Sequence, residues 1–195
     1  MSSKPRILFL AGSIRAESFN RRLGRLACGM AEQGGAEAAW LDLADYPMPL
    51  YNGDLEQDQG VPDSALALKR EFRAADGFFI AAPEYNSSVT PLLKNTLDWI
   101  SRQSEPDEPP LSAYRGKVAG LASASPGGLG GLRGLVVLRM MLGNIGVHVV
   151  PSQLAVPGAA QAFDDEGRLA DSGKSKALEG VVSELIDTAT RIKGG

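Results

Sequence analysis

Short apolar runs alternate along the chain with stretches in which apolar residues recur every three or four positions, and that alternation sets the expected architecture. Ile7-Leu8-Phe9-Leu10-Ala11 is apolar at every position, as a strand buried on both faces would be. After the polar interval Gly12 to Phe19, a helix is predicted from about Asn20 to Gln33. Its Leu23, Leu26, Ala27 and Met30 share one face, and Gly34-Gly35 supplies its stop. Ala38 to Leu43 reads as a second strand, followed by a Pro/Gly/Asp-rich loop through Pro62 and a second helix marked by Leu68, Phe72 and Ala75.

Gly77–Ala82 is the most hydrophobic strand candidate and is expected at the centre of the sheet. Thr90-Pro91 has the form of an N-cap followed by proline at the first helical position, and Leu93, Leu97 and Ile100 lie on one face of the helix behind it. A loop with Pro106, Pro109 and Pro110 precedes a fourth strand, Lys117 to Ser123. A glycine-rich turn, a helix around Leu132–Leu142 and a fifth strand, Val147–Val150, follow. The last helix carries Leu178, Val181, Val182, Leu185, Ala189 and Ile192 in one stripe. Five strands alternating with five helices imply parallel pairing and right-handed crossovers, hence a doubly wound α/β/α sandwich of three layers.

Composition narrows what such a chain can do. With 195 residues, one globular domain is expected. Twenty Lys and Arg against 23 Asp and Glu leave a net charge of −3, which argues against nucleic acid or an anionic membrane as main partner. No segment approaches the ~20 apolar residues of a membrane span. The apolar run behind Lys4 and Arg6 is shorter than a signal-peptide core of roughly 7–15 residues. One cysteine, Cys28, and one histidine, His148, supply neither a disulfide framework nor a structural zinc site, and a reducing cytoplasm is the expected compartment.

Ligands of doubly wound sheets bind beyond the carboxyl ends of the strands, near the point where the strand order reverses. Three loops leave such ends here. The first, Gly12–Asn20, offers the hydroxyls of Ser13 and Ser18, the Asn20 amide, the Arg15 guanidinium and the free N–H groups of a helix N-terminus. These are the parts of an anion site, though not of a Walker A loop; the same residues also describe a capped turn beside a solvated arginine face. Arg15, Arg21, Arg22 and Arg25 oppose the helix dipole, and an anion would account for them. The second loop, Pro83–Val89, brings a proline, a carboxylate, an aromatic ring and an amide to the end of the central strand, either around a planar ligand or merely as a tight turn. The third, Ser123–Arg133, would let a flat ligand approach bare backbone. It misses the dinucleotide fingerprint because Arg133 stands where the third glycine belongs.

Other chemistries find little support. A Ser-His-Asp hydrolase would need His148, which lies in a predicted strand, and no Gly-x-Ser-x-Gly elbow is present. Cys28 reads as a packing residue. Asp164, Asp165 and Glu166 share one turn with Gly167 and read as a solvated loop. Met140 and Met141 read as core or subunit contacts.

Gly-Ser-Ile-Arg-Ala-Glu-Ser-Phe-Asn at 12–20, the long run from Pro83-Glu84-Tyr85-Asn86 to Arg102, and Gly-Gly-Leu-Gly-Gly-Leu-Arg at 127–133 resemble the NADPH-dependent FMN reductase family. The likeness extends from about Arg6 to Val156, with Phe163–Leu169 also similar. It implies a flavodoxin-like fold, FMN as cofactor and NADPH or NADH as co-substrate, with a quinone, free flavin, azo compound or metal oxyanion as acceptor. It further implies that Ser13, Arg15, Ser18 and Asn20 hold the FMN phosphate. Pro83, Glu84, Tyr85 and Asn86 would line the ribityl chain and ring, and Ser125 and Gly127 would border the ring. A homodimer or homotetramer is implied too, with helix Leu92–Ser101 and Arg102 as candidates for the subunit boundary. Thr90-Pro91 stands where some relatives carry Pro-Gly, which alters one wall beside the flavin. A flavodoxin-type electron carrier or a non-enzymatic FMN-binding redox sensor would share the fold. A phosphoacceptor receiver would need aspartates where Gly12 and Ser13 stand.

Overall fold

A computed structural model describes residues 4–194. The chain runs through β1 (Arg6–Ala11), α1 (Phe19–Gln33) and β2 (Glu37–Leu41), then through α2 (Gly53–Gln59) and α3 (Asp63–Ala74) to β3 (Gly77–Ala81). A hairpin of β4 (Glu84–Tyr85) and β5 (Ser88–Val89) leads into α4 (Pro91–Ser101). The second half is β6 (Val118–Ala124), α5 (Leu132–Asn144), β7 (His148–Val156) and α6 (Ser172–Lys193).

Five strands pair in parallel in the order β2-β1-β3-β6-β7, the order of flavodoxin-like sheets. Because helices cover both faces, the central strands are apolar throughout, and successive residues feed opposite cores. Ile7 and Phe9 pack with Leu23 of α1 and Val181 and Leu185 of α6. Leu8 and Leu10 pack on the other side with Phe72 of α3, Leu93 of α4 and Leu138 of α5. β1 therefore exits toward α1 on one face, while its neighbour β3 exits toward α4 on the other. The two chains part above the Gly12 N–H, which donates to the Ala81 carbonyl at 3.0 Å. That parting is the crevice where ligands of such sheets sit.

The structure differs from the sequence reading at several points. The fifth strand extends from His148 to Val156 rather than ending at Val150, because it is a sheet edge where Pro151 needs no ladder partner. The loop before Pro62 contains α2, which buries no residue and so has no apolar stripe to read. The second strand stops at Leu41, and Asp42 caps a one-turn 3-10 helix over Leu43–Asp45.

Candidate functional site

The first loop turns tightly into α1. The Arg15 N–H donates to the Ser13 hydroxyl at 3.3 Å, the Ser18 N–H donates to the Arg15 carbonyl, and the Ser18 hydroxyl accepts from the Arg21 N–H at 3.4 Å as the helix N-cap. Helix geometry leaves the first-turn N–H groups of Phe19 and Asn20 without an acceptor inside the helix, and no acidic residue occupies that turn. The four arginines separate clearly. Arg21 pairs with Asp42, Arg22 with Glu17 at 3.0 Å, and Arg25 lies 4.7 Å over the Trp40 ring. Among the described residues Arg15 forms no ion pair; its guanidinium rests 5.9 Å from the centre of the Phe19 ring, at the end of the helix. An uncompensated cation beside free N–H groups is a donor set suited to a phosphate.

The second loop is a two-residue hairpin. Asn86 and Ser87 form its tip with φ of 51° and 64°, the left-handed region that suits such turns and that asparagine tolerates. Tyr85 stands exposed at the mouth, and Asn86 is on the tip beyond it. The Glu84 side chain turns toward α5, where its Oε2 accepts from the Gly134 N–H at 2.9 Å.

Two further ties hold the loops at fixed separations. The buried Asn20 amide makes paired hydrogen bonds with the Ala124 backbone, donating to its carbonyl at 2.8 Å and accepting from its N–H at 2.9 Å. The Thr90 hydroxyl donates to the Gly12 carbonyl at 2.8 Å while accepting from the Leu93 N–H at 3.2 Å as the cap of α4. The first loop is thus braced against both others. The third loop needs its glycines. Gly131 has φ of 88°, and a Cβ there would fall 1.9 Å from the Ser123 hydroxyl oxygen.

One cleft unites Ser13, Arg15, Ser18, Asn20, Pro83, Glu84, Tyr85 and Ser125. Asn86 and Gly127 do not form its wall; Gly127 faces Ser125, its N–H donating to that hydroxyl at 3.3 Å. Phe19, Ala124 and Pro126 complete the wall. Phe19 is the one of these that sequence reading could have raised, as an aromatic directly after the N-cap. A second cavity shares Ser13, Arg15 and Tyr85 and continues along Thr90, Pro91 and Leu92. Thr90-Pro91 therefore borders the site.

Elsewhere, His148 is exposed on the edge strand β7. Cys28 is buried; burial, reinforced by Glu32 and only partly offset by Arg25, pushes its thiol up to about 11, so no thiolate is available at neutral pH. Asp164 organises its own turn, accepting from the Glu166 and Arg168 N–H groups. Arg102 is held by Glu56 at 2.8 Å and stacks over Tyr51. Among the described residues no helix is long and apolar enough to cross a membrane.

The sequence profile described as NADPH-dependent FMN reductase matches residues 5–161. An NAD(P)H-dependent FMN reductase of Pseudomonas aeruginosa is 33% identical over 196 residues, covering 100% of both chains. A quinone reductase of Escherichia coli K12 is 34% identical over 195 residues, covering 99% of this chain and 100% of its own. The solved flavoenzyme NAD(P)H:(acceptor) oxidoreductase of Paracoccus denitrificans superimposes with a TM-score of 0.81 at 26% identity, over 96% of this chain and 98% of that one.

Proposed function

The chain belongs to the NADPH-dependent FMN reductase family, and from that premise we propose that the cleft between β1 and β3 seats FMN with its phosphate on the first loop. The protein is an FMN-dependent NAD(P)H oxidoreductase that passes electrons from a reduced nicotinamide to a small acceptor such as a quinone. The observation that carries the placement is Arg15, a guanidinium without an ion-pair partner among the described residues, beside the open N-terminus of α1.

In this reading Ser13, Arg15 and Ser18 hold the phosphate together with the first-turn N–H groups. Asn20 fixes the third loop at that end through Ala124. Pro83, the Glu84 backbone and Tyr85 flank the ribityl chain and ring from one side and Ser125 from the other, with Asn86 and Gly127 outside the wall. Bound FMN supplies the ring that takes hydride from nicotinamide and gives electrons to the acceptor; the protein contributes orientation, charge and access. No side-chain general acid is assigned. The exposed Tyr85 and Ile14 give the mouth an apolar rim suited to flat substrates.

The whole chain, 1–195, is read as one FMN-binding domain of a cytoplasmic homodimer or homotetramer. Leu129, Leu132, Val136 and Met140 are all exposed at or along α5, an apolar strip that supports self-association beside the third loop.

Calorimetric titration of ligand-free protein with FMN, FAD and riboflavin tests the placement. FMN is expected to bind tightest, because a terminal phosphomonoester presents its full charge to Arg15 and the α1 N-terminus. Equal or tighter binding of FAD would overturn it.

A further inference from the structure

Glu84 belongs to the cleft wall, but its carboxylate is turned to the head of α5. Its side chain is only 10% exposed although it lies on a two-residue strand at the mouth. Oε2 accepts from the Gly134 N–H at 2.9 Å, and Oε1 accepts from the Arg133 guanidinium at 3.2 Å. Gly134 is the third residue of α5, and the N-cap of that helix is Gly131, which has no side chain to cap with. The carboxylate from the hairpin does that work from outside the helix. It meets the positive end of the helix dipole and makes a charge-assisted hydrogen bond there. The fit is close: a Cβ on Gly134 would lie 3.2 Å from Glu84 Cβ and 3.3 Å from Cγ.

The start of the third loop is fixed by the Ser125 N–H donating to the Val156 carbonyl and by the Ala159 N–H donating to the Ser125 carbonyl. The stretch that follows is exposed over Pro126–Leu129, where the Gly127 N–H donates to the Ser125 hydroxyl at 3.3 Å, and then Gly130 and Gly131 are buried against the Val156–Pro157 backbone and Ser123. Its far end is where Glu84 attaches. We infer that Glu84 is a positioning residue: a strut from the second loop to the head of α5 that sets the gap in which the flavin ring is received. Its carboxylate acts through Gly134 and not by touching the cofactor. This rests on the reading that FMN occupies the cleft, but the strut itself has a test that needs no flavin.

Amide hydrogen exchange is measured on ligand-free protein, and FMN affinity by calorimetry, for Glu84→Ala, Glu84→Gln, Gly134→Ala and the Glu84→Ala/Gly134→Ala pair. Glu84→Ala should raise exchange over residues 126–134 about tenfold, leave the β1 amides as protected as before, and weaken FMN about tenfold. Glu84→Gln keeps an acceptor for the Gly134 N–H and should restore both to within about threefold. Gly134→Ala should loosen the same segment alone yet add little on top of Glu84→Ala, since both break one contact. Unchanged exchange in Glu84→Ala would overturn the strut. Looser exchange with unaltered FMN affinity would overturn its positioning role. Restored exchange without restored FMN binding in Glu84→Gln would mean that the carboxylate meets the ligand directly, which also overturns it. Failure of the unaltered protein to bind FMN would instead strike the cleft reading.

Discussion

Replacing Lys69 by methionine is expected to lower the unfolding free energy at pH 7 by about 3–5 kcal/mol. Lys69 of α3 and Glu108 form an ion pair with side chains only 3% and 1% exposed. The ammonium also donates to the Arg102 carbonyl and to the Ser104 hydroxyl at 3.4 Å. The carboxylate accepts from the Ser104 N–H at 2.8 Å, from the Ser104 hydroxyl at 2.9 Å and from the Ser112 hydroxyl. Removing the cation leaves a buried carboxylate uncompensated, which is among the few changes that cost so much. Burial alone would push the Glu108 carboxyl up; hydrogen bonds from Lys69, Ser112 and Ser104 outweigh it and hold the group down at about 2, from an ordinary 4.5. A depressed folded value stabilises above the ordinary one, and that contribution is lost as pH falls from about 4.5 toward 2. Without Lys69 the buried carboxyl protonates at higher pH, so the penalty should shrink on acidification. Urea unfolding at pH 7 and pH 4 checks both parts. A penalty under about 1 kcal/mol at pH 7, or one that grows toward pH 4, would contradict the assignment. The cluster matters to the site because it fixes the chain just past α4, whose opposite end braces Gly12 through Thr90.

Arg15→Ala is expected to weaken FMN binding by about 10- to 100-fold, since a charge-assisted hydrogen bond is worth roughly 1.5–3 kcal/mol and each ~1.4 kcal/mol is tenfold. An FMN phosphate carries nearly two negative charges at neutral pH, which hydroxyls and N–H groups solvate but do not neutralise. Riboflavin, lacking the phosphate, should lose little. Folding should be nearly unaffected, because the Arg15 side chain is exposed and its one aromatic contact, with Phe19, is loose at 5.9 Å. Equal losses for FMN and riboflavin would show that Arg15 acts on the ring or on loop shape. No loss for either would remove the phosphate from the first loop.

The sheet was legible because its central strands are buried on both faces, so Ile7–Ala11 and Gly77–Ala81 stand out as unbroken apolar runs. The loops at their ends were legible because polar residues gather where apolar burial stops. Pairings across the fold were not. Nothing near Glu84 announces Gly134, fifty positions on, and Asn20 shows no sign of the Ala124 backbone it holds. Lys69 and Glu108 each look like surface charges, since only the folded loop after α4 brings them together. Glu84 lies in the cleft wall, where the motif expects it, but the hydrogen bond from its carboxylate to the head of α5 is not visible in the motif.

The most direct test of the whole reading is to watch the two halves of the reaction separately, by anaerobic stopped-flow absorbance on the FMN-loaded protein. NADPH or NADH alone should bleach the oxidised flavin band, and a quinone mixed in afterwards should restore it, with parallel double-reciprocal plots in steady state. A flavin band that neither nicotinamide bleaches would contradict the oxidoreductase reading and describe an FMN-binding sensor or an electron carrier. Bleaching that requires the quinone to be present would contradict sequential use of one cleft.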